Sequence, residues 1–514
     1  MFLKNKKILI FNYMKRRILP KIVLGVLFLI FGFSYAGAQE RRKLTMTLDE
    51  VTQTAREQSL SALIAKHTFL ADYWQFRTYR AKLLPSLNLA ANLGNYDRSL
   101  RALQNPTTGE IDYIENNNMT NSLMLSVDQR IGLTGGTLSV QTDLNRVDQF
   151  SATEKVLYNS RPINIYYNQP IRGYNSLKWE KKIEPVRYES AKRTYLEAIE
   201  NVNITVTTLF FNVLSAQLSL EMAQKNYESS DLNLKIAEDR FELGSITNSD
   251  LMQLRLRVYN DKLAISDNKI LLDQSMMQLR SFLGYNDSVD IELTIPDKGP
   301  DVMLDFYDVL ARAEENSAYL LDNELRIMNA EQEVARARSS SGLQATLSAR
   351  FGMTQKGNTL SAAYSNPMDQ EILGLSLSIP ILDWGLGRGS VKVAKSREEV
   401  IRTQVDQLYS QYRQDIMIRV MQFNNQNEQC EISLQADSLA RRRYEVTSEN
   451  FRNGTITVLD LNTAQSEKDQ AARRYVTDLS NYWQYYFNIR KLSLYDYLRN
   501  EEIGTDFEKL TGER

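Results

Sequence analysis

A single cysteine, Cys430, and a single histidine, His67, in a chain of 514 residues remove whole classes of chemistry at once. One cysteine excludes an internal disulfide framework and the common cysteine-based zinc sites. One histidine excludes metal centres built on two or three imidazoles, and the sequence offers no histidine-based dyad, triad or phosphate loop. Both residues sit in helical patterns, where packing or surface roles suffice. No catalytic, cofactor-binding or metal-binding residue is therefore expected, and the chain does not read as an enzyme. Charge of one sign is missing too: 62 basic residues against 63 acidic leave a net charge of −1. That balance argues against a nucleic-acid binder. Proline is scarce, at 10 residues, and with abundant Leu, Ala, Gln, Glu, Lys and Arg this points to long helices. Beyond Gln39 no long apolar run is expected, so any entry into a membrane has to use β-strands, the other way to satisfy the backbone in lipid.

What the chain does carry begins with an export signal. Lys15, Arg16, Arg17 and Lys21 precede an apolar run over 22–33, and Ala36-Gly37-Ala38 supplies a small-residue cleavage pattern before Gln39. Residues 1–38 read as a secretory signal peptide, with Met1 or Met14 as the start. The alternative, a membrane anchor, would need about 20 apolar residues. The length exceeds what one hydrophobic core usually organises, so two units or one elongated unit are expected.

The remaining sequence repeats itself. Thr54-Ala55-Arg56-Glu57-Gln58-Ser59 resembles Arg312-Ala313-Glu314-Glu315-Asn316-Ser317 at a spacing of 258, which also pairs Arg80 with Arg338 and Gly94 with Gly352. Further on, Phe241-Glu242-Leu243-Gly244-Ser245-Ile246-Thr247 matches Phe451-Arg452-Asn453-Gly454-Thr455-Ile456-Thr457 at a spacing of 210, and Asp250-Leu251 matches Asp460-Leu461. The first half thus holds 48 more residues than the second between these landmarks (258 less 210). A period this long is a duplication, not a solenoid.

Each half reads helix, strands, helix, turn, helix. The first repeat is assigned to 39–295, with helix 47–83, strands within 86–170 and helices 175–243 and 249–283. The second is assigned to 296–498, with helix 305–340, strands within 344–381 and helices 385–453 and 458–494. A polar tail, 499–514, closes the chain. Thr47 and Glu50 form a capping box, and Pro85 ends the first helix. Four alternating segments follow: Leu87, Leu89 and Leu93; Leu123, Leu125 and Val127; Leu138, Val140 and Leu144; Ile163, Ile165 and Tyr167. Leu347, Ala349 and Phe351, then Leu373, Leu375, Leu377 and Ile379, form two more in the second half. Alternation marks strands with one oily and one wet face, near the length that crosses a bilayer. A soluble β-sandwich is the competing use of such strands. The segments 99–120 and 149–161 read as long polar loops, and Leu133-Thr134-Gly135-Gly136 as a tight turn. The long helices imply about 100 Å, twice the length of the others, at 1.5 Å per residue; two short helices stacked end to end would match one long one, as in a tube.

On this layout, on Leu83-Leu84-Pro85-Ser86-Leu87 entering the first strand, on Ser378-Ile379-Pro380-Ile381-Leu382-Asp383 leaving the last, with Gln169-Pro170-Ile171 its counterpart, and on the repeated glycine turns, the sequence resembles the TolC family of outer-membrane channels. The resemblance covers about 44–494. It implies a mainly α fold with a β-barrel part: a homotrimer with a shared transmembrane β-barrel and an α-helical barrel reaching through the periplasm. Such a protein is the outer-membrane exit channel of a tripartite efflux pump, docking on a periplasmic adaptor and an inner-membrane pump and embedded in outer-membrane lipid. The alternatives are the exit channel of a type I protein secretion system, or a structural coiled-coil protein of the envelope. By the same resemblance, Gly244, Ser245, Ile246, Thr247, Gly454, Thr455, Ile456 and Thr457 become the adaptor-docking tips. Asp460, with Asp250 as its first-half equivalent, becomes an acidic ring at the channel entrance. Helix capping is the other role open to both aspartates. Ile456 and Thr463 stand where some members carry an arginine and a second aspartate, so a salt-bridge lock is not expected.

Three smaller features complete the reading. Tyr96, Tyr113, Tyr166, Tyr167, Trp179 and Trp384 lie at or near strand ends, where aromatic girdles meet membrane interfaces. Lys178, Lys181 and Lys182 follow the first-half strands, either meeting phosphate headgroups or forming a solvated helix face. With six strands per protomer a trimer would hold eighteen; with four, the extra hairpin would lie outside the barrel or fold inward.

Overall fold

The computed structural model describes residues 42–104, 107, 109–150, 156–286, 289–299 and 301–512. The expected signal segment, 1–38, lies outside them. In chain order the elements are β1 (Arg42–Met46), α1 (Leu48–Gln58), α2 (Leu60–Ala81), β2 (Ser86–Gln104), β3 (Ile111–Arg130), β4 (Thr137–Gln149) and β5 (Val156–Arg172). Next come α3 (Ser176–Glu242), α4 (Asn248–Leu283), β6 (Val289–Leu293), α5 (Phe306–Asn316), α6 (Ala318–Ser340), β7 (Gln344–Gly357) and β8 (Met368–Ser378). The last are α7 (Leu386–Arg452), α8 (Val458–Ser493), β9 (Tyr495–Asp496), β10 (Glu501–Glu502) and α9 (Phe507–Thr511). The fold is mainly α with one large sheet, in two compact units.

One unit comprises the chain up to Leu60, Thr205–Lys298 and Ser433–Ser480. Its short strands β1 and β6 pair in parallel, with Leu44 opposite Ile291, and Gln217 on α3 accepts the Leu293 N–H at 3.3 Å. These five-residue strands are absent from the sequence reading; their alternation is too short to register. A second small core joins Ala237, Leu251, Leu254, Phe451, Val458 and Leu461.

The other unit, Ser61–Ile204, Gly299–Ile432 and Asn481–Arg514, holds the six-stranded sheet. Its helical core includes Val309, Ile416, Phe423, Tyr482 and Tyr486 together with Cys430, which is buried, so the lone cysteine is a packing residue. Beside it Arg490 spans two buried carboxylates, Glu200 at 3.0 Å and Asp496 at 2.9 Å.

The structure corrects several expectations. Helices 47–83 and 305–340 are each two helices, broken at Ser59 and Ser317, both with extended backbone. These serines end the repeated motif that revealed the duplication. At Ser317 tertiary partners take the groups a straight helix would have used. Arg193 donates to the Glu315 and Ser317 carbonyls (2.6 and 3.2 Å), and Glu197 accepts the Ala318 N–H (2.8 Å). The last large strand ends at Ser378, short of 381. Within the polar tail α9 forms, and its Phe507 packs on Phe69 with ring centroids 5.1 Å apart. The chain also holds a further apolar stretch. Among the described residues α3 alone has one long and apolar enough to cross a bilayer by length and composition, but half of it is buried, including Val206, Phe210, Phe211 and Leu214.

Candidate functional site

The sheet runs β2-β3-β4-β5-β7-β8, every neighbour antiparallel. Because paired residues share a face, register shows whether the oily faces of separate strands coincide. Leu87, Val127, Val140, Ile165 and Phe351 are successive partners across five strands, and Glu371 of β8 closes the row. Beside it run Leu138, Tyr167, Ala349 and Leu373. The opposite face carries Asn88, Ser126, Gln141, Asn164, Gly352 and Gln370, again in one row.

Exposure is inverted relative to a water-soluble protein. Val127 and Val140 are 41% and 38% exposed, whereas Ser126 is 4% and Asn164 0% exposed. A contiguous apolar face of this kind is rare on soluble monomers, and a sandwich would have covered it with a second sheet. The polar face is organised around Asp128, which accepts from Asn88 (2.8 Å), Ser126 (2.8 Å) and Ser139. Further along the strands Arg161 lies 3.5 Å from Asp143. Asn145 Oδ1, Asn159 Oδ1 and both polar atoms of the Asn164 amide are buried without a hydrogen-bond partner among the described residues. Tyr166, expected at an interface girdle, instead lies under Arg350, 4.3 Å from its ring, beside Ser139 and off the oily face.

The expected long loops are largely strand. Residues 99–104 pair with 111–116, and β5 already begins at Val156. Arg98, Asn117 and Glu115 interrupt the oily face between the alternating segments and Leu100, Ala102, Tyr113 and Ile111, which hid these ladders from the alternation. The tight turn is as read: Gly135 has φ +77°, and Ile131 and Gly136 close it with a 2.8 Å backbone bond.

The repeated turns end α3 and α7 in the same way. Gly244 and Gly454 adopt left-handed φ of +72° and +80°, and the next residues donate back to Arg240 and Asn450 carbonyls (2.9 and 3.0 Å). This is the glycine-terminated helix end. Thr247 and Thr457 then open α4 and α8. Thr247 Oγ1 donates to Asp250 (2.7 Å) and accepts its N–H (3.2 Å); Thr457 and Asp460 repeat this at 2.6 and 3.3 Å. Both aspartates therefore cap helices. The Thr457 hydroxyl and N–H, with Arg443 adding to them, hold the Asp460 carboxyl below the usual range. Ser245 and Thr455 are exposed, while Ile246 and Ile456 are half-buried against the small core shared by the two turns.

One residue of this site escaped the sequence reading. Arg240 of the first turn donates to the carbonyls of Phe451 (3.0 Å) and Arg452 (2.7 Å) of the second, its guanidinium 5.5 Å from the Phe451 ring. Its counterpart at spacing 210 is Asn450, so looking for repeated residues passes over it. Among the described residues no group of His, Cys, Asp and Glu is arranged to hold a metal ion.

An oily-outside, polar-inside sheet joined to long helices that end in paired, capped turns defines an outer-membrane channel subunit. The chain belongs to the outer membrane efflux protein family, whose model matches residues 51–285 and 309–493; this is a family of outer-membrane channel proteins, not of enzymes. It is 24% identical to the outer membrane protein TolC of Escherichia coli (strain K12) over 322 residues, covering 60% of this chain and 63% of that protein, less than two thirds of the relative's length. Among solved structures, the Campylobacter jejuni CmeC outer membrane channel matches with a TM-score of 0.63 at 16% identity, over 91% of this chain and 88% of that one. VceC, an outer membrane protein of Vibrio cholerae, matches with a TM-score of 0.61 at 14% identity, over 89% and 97%. At these identities the structures testify to the fold.

Proposed function

We propose that this protein is the exit channel of a tripartite efflux pump, a homotrimer that conducts substrates passively across the outer membrane and periplasm. The carrying observation is the register of the sheet, which puts oily residues on one face and polar residues on the other across six strands. Among the described residues its outer strands β2 and β8 have no partner at the sheet's edges, and free edges invite pairing. Three copies joined edge to edge make a barrel of eighteen strands, oily toward lipid and wet within. Unpaired helical surface supports the same assembly. Met252, Leu256, Tyr259, Leu263, Ile270 and Met277 form an exposed stripe at heptad spacing on α4, the pattern of a coiled-coil seam awaiting a partner. An open groove of about 1100 Å³ between α6 and α7, lined by Ala330, Ala337, Val393 and Ile401, offers a second such surface.

In this reading the turns Gly244–Thr247 and Gly454–Thr457 receive a periplasmic adaptor that links the channel to an inner-membrane pump. Asp460, and Asp250 as its first-half equivalent, contribute acidic groups near the entrance; three copies around an axis favour cations. Capping and this role are compatible, since a capped carboxylate keeps its charge.

Purified protein in a planar bilayer tests the reading. Discrete conductance steps from a detergent complex of three chains are expected. A water-soluble monomer that never conducts would overturn it.

A further inference from the structure

Where β8 hands over to α7, the oily alternation of Leu373, Leu375 and Leu377 continues past the last ladder pair into Ile379 and Ile381. Ile381 is 96% exposed and Trp384 90%. Trp384 also has φ +52°, a left-handed backbone that is an outlier for so bulky a residue. The turn is nonetheless fixed. Asp383 accepts from the N–H groups of Gly385 (2.9 Å) and Gly387 (2.8 Å), which caps α7 and aims the indole away from the chain. The duplication supplies a control: spacing 210 pairs Trp384 with Tyr174, and Tyr174 is tied inward, accepting from Gln332 at 2.7 Å with Arg336 over its ring at 5.0 Å. Only the second-half aromatic is left uncovered.

Cations sit directly beyond. Arg388 and Lys392 lie in the first two turns of α7, and Lys178 and Lys181 in the first two turns of α3, all exposed. An indole at the boundary, aliphatic side chains on one side and cations on the other is the order of groups met on leaving a bilayer core through a phosphate layer. A second copy of this chain would account for the apolar residues but not for the cations.

We propose that the β8–α7 connection is a lipid anchor: Ile381 and Trp384 enter the leaflet on the helix side of the membrane, and Lys178, Lys181, Arg388 and Lys392 bind anionic phospholipid headgroups there. The inference rests on the reading of the outer sheet face as lipid-facing, and its test separates the two.

The chain has four tryptophans. Trp74, Trp179 and Trp483 changed to Phe leave Trp384 as sole reporter; a companion adds Leu125→Trp and Trp384→Phe. Both go into phosphatidylethanolamine–phosphatidylglycerol vesicles containing lipid brominated near the headgroup or deep in the chain. Trp384 emission is expected to be quenched most by shallow bromines, and the Leu125→Trp reporter most by deep ones. If only Trp384 escapes quenching, a neighbouring copy covers it and the anchor is wrong. If neither reporter is quenched, the lipid-facing sheet itself fails. For the headgroup arm, brominated phosphatidylglycerol is expected to quench Trp384 at least twofold better than brominated phosphatidylcholine. Changing the four cations to Gln should bring that ratio to about one. Equal quenching in the unaltered protein overturns the selectivity. Should the triple substitution not assemble, Trp384→Cys carrying a fluorophore, in a Cys430→Ala background, reads the same depth.

Discussion

Asp460 is held by its own helix start, and that has a pH signature. Its folded pKa lies below the usual carboxylate value, so the cap contributes fully above the unfolded value, about 4. The contribution is lost as pH falls through the folded value. Amide exchange at the start of α8, corrected for intrinsic rates, is expected to accelerate below about pH 4, and Asp460→Asn to flatten that response. Thr457→Ala should cost the cap about 1 kcal/mol, read as faster exchange confined to the same turn. Arg240 joins two turns distant in sequence. Its half-buried guanidinium makes charge-assisted bonds, and Arg240→Ala is expected to cost about 1–2 kcal/mol after discounting exposure. Exchange should then quicken in both turns, whereas loss of protection in the first alone would deny the link. The capped threonines and glycines were visible in the sequence because they repeat. Arg240 was not, since its partners are backbone carbonyls that any residue would supply.

Among the elements, the sheet's faces define the sharpest comparison. Leu125 lies on the oily face, and Leu125→Arg is expected to cost roughly 2–4 kcal/mol if the face meets lipid near its midplane. Asn92→Arg on the polar face should be nearly neutral; the ratio of folded to unfolded bands without boiling measures both. Gly352 has no room for a side chain. A Cβ there would lie 2.5 Å from the Ile163 carbonyl and 2.2 Å from Asn164 Oδ1, so Gly352→Ala should weaken β5–β7 pairing by about 1–3 kcal/mol. In the helical core, Arg490→Met strands Glu200 and Asp496 as unpaired buried charges, at about 3–5 kcal/mol. Burial alone would raise the Asp496 carboxyl; the Tyr486 hydroxyl, Arg490 and the N–H groups of Arg499 and Leu498 bring it below its ordinary value. The oily alternation made the six strands legible. Their true lengths were not, because residues such as Arg98, Asn117 and Glu115 interrupt the periodic trace. The breaks at Ser59 and Ser317 were equally hidden: a serine inside a helical pattern signals nothing, and at Ser317 the freed backbone groups are taken by Arg193 and Glu197, which arrive from α3.

For the molecule as a whole, open sheet edges and an unpaired seam on α4 make the single chain incomplete. Leu256→Glu with Leu263→Glu is expected to reduce the trimeric fraction in detergent while helical content stays unchanged, as seen by sedimentation and circular dichroism. Unchanged trimer would mean that the seam serves another partner.

The duplication, the long helices, the two-faced strands and the glycine turns were determined by sequence alone, because periodicity and conformational preference are local properties that survive in one dimension. Tertiary structure decided which oily residues share a row, where helices break, that Arg240 clasps the opposite turn and that Trp384 stands uncovered while Tyr174 does not. Each of these depends on which residues meet across hundreds of positions, and no local pattern encodes such a meeting.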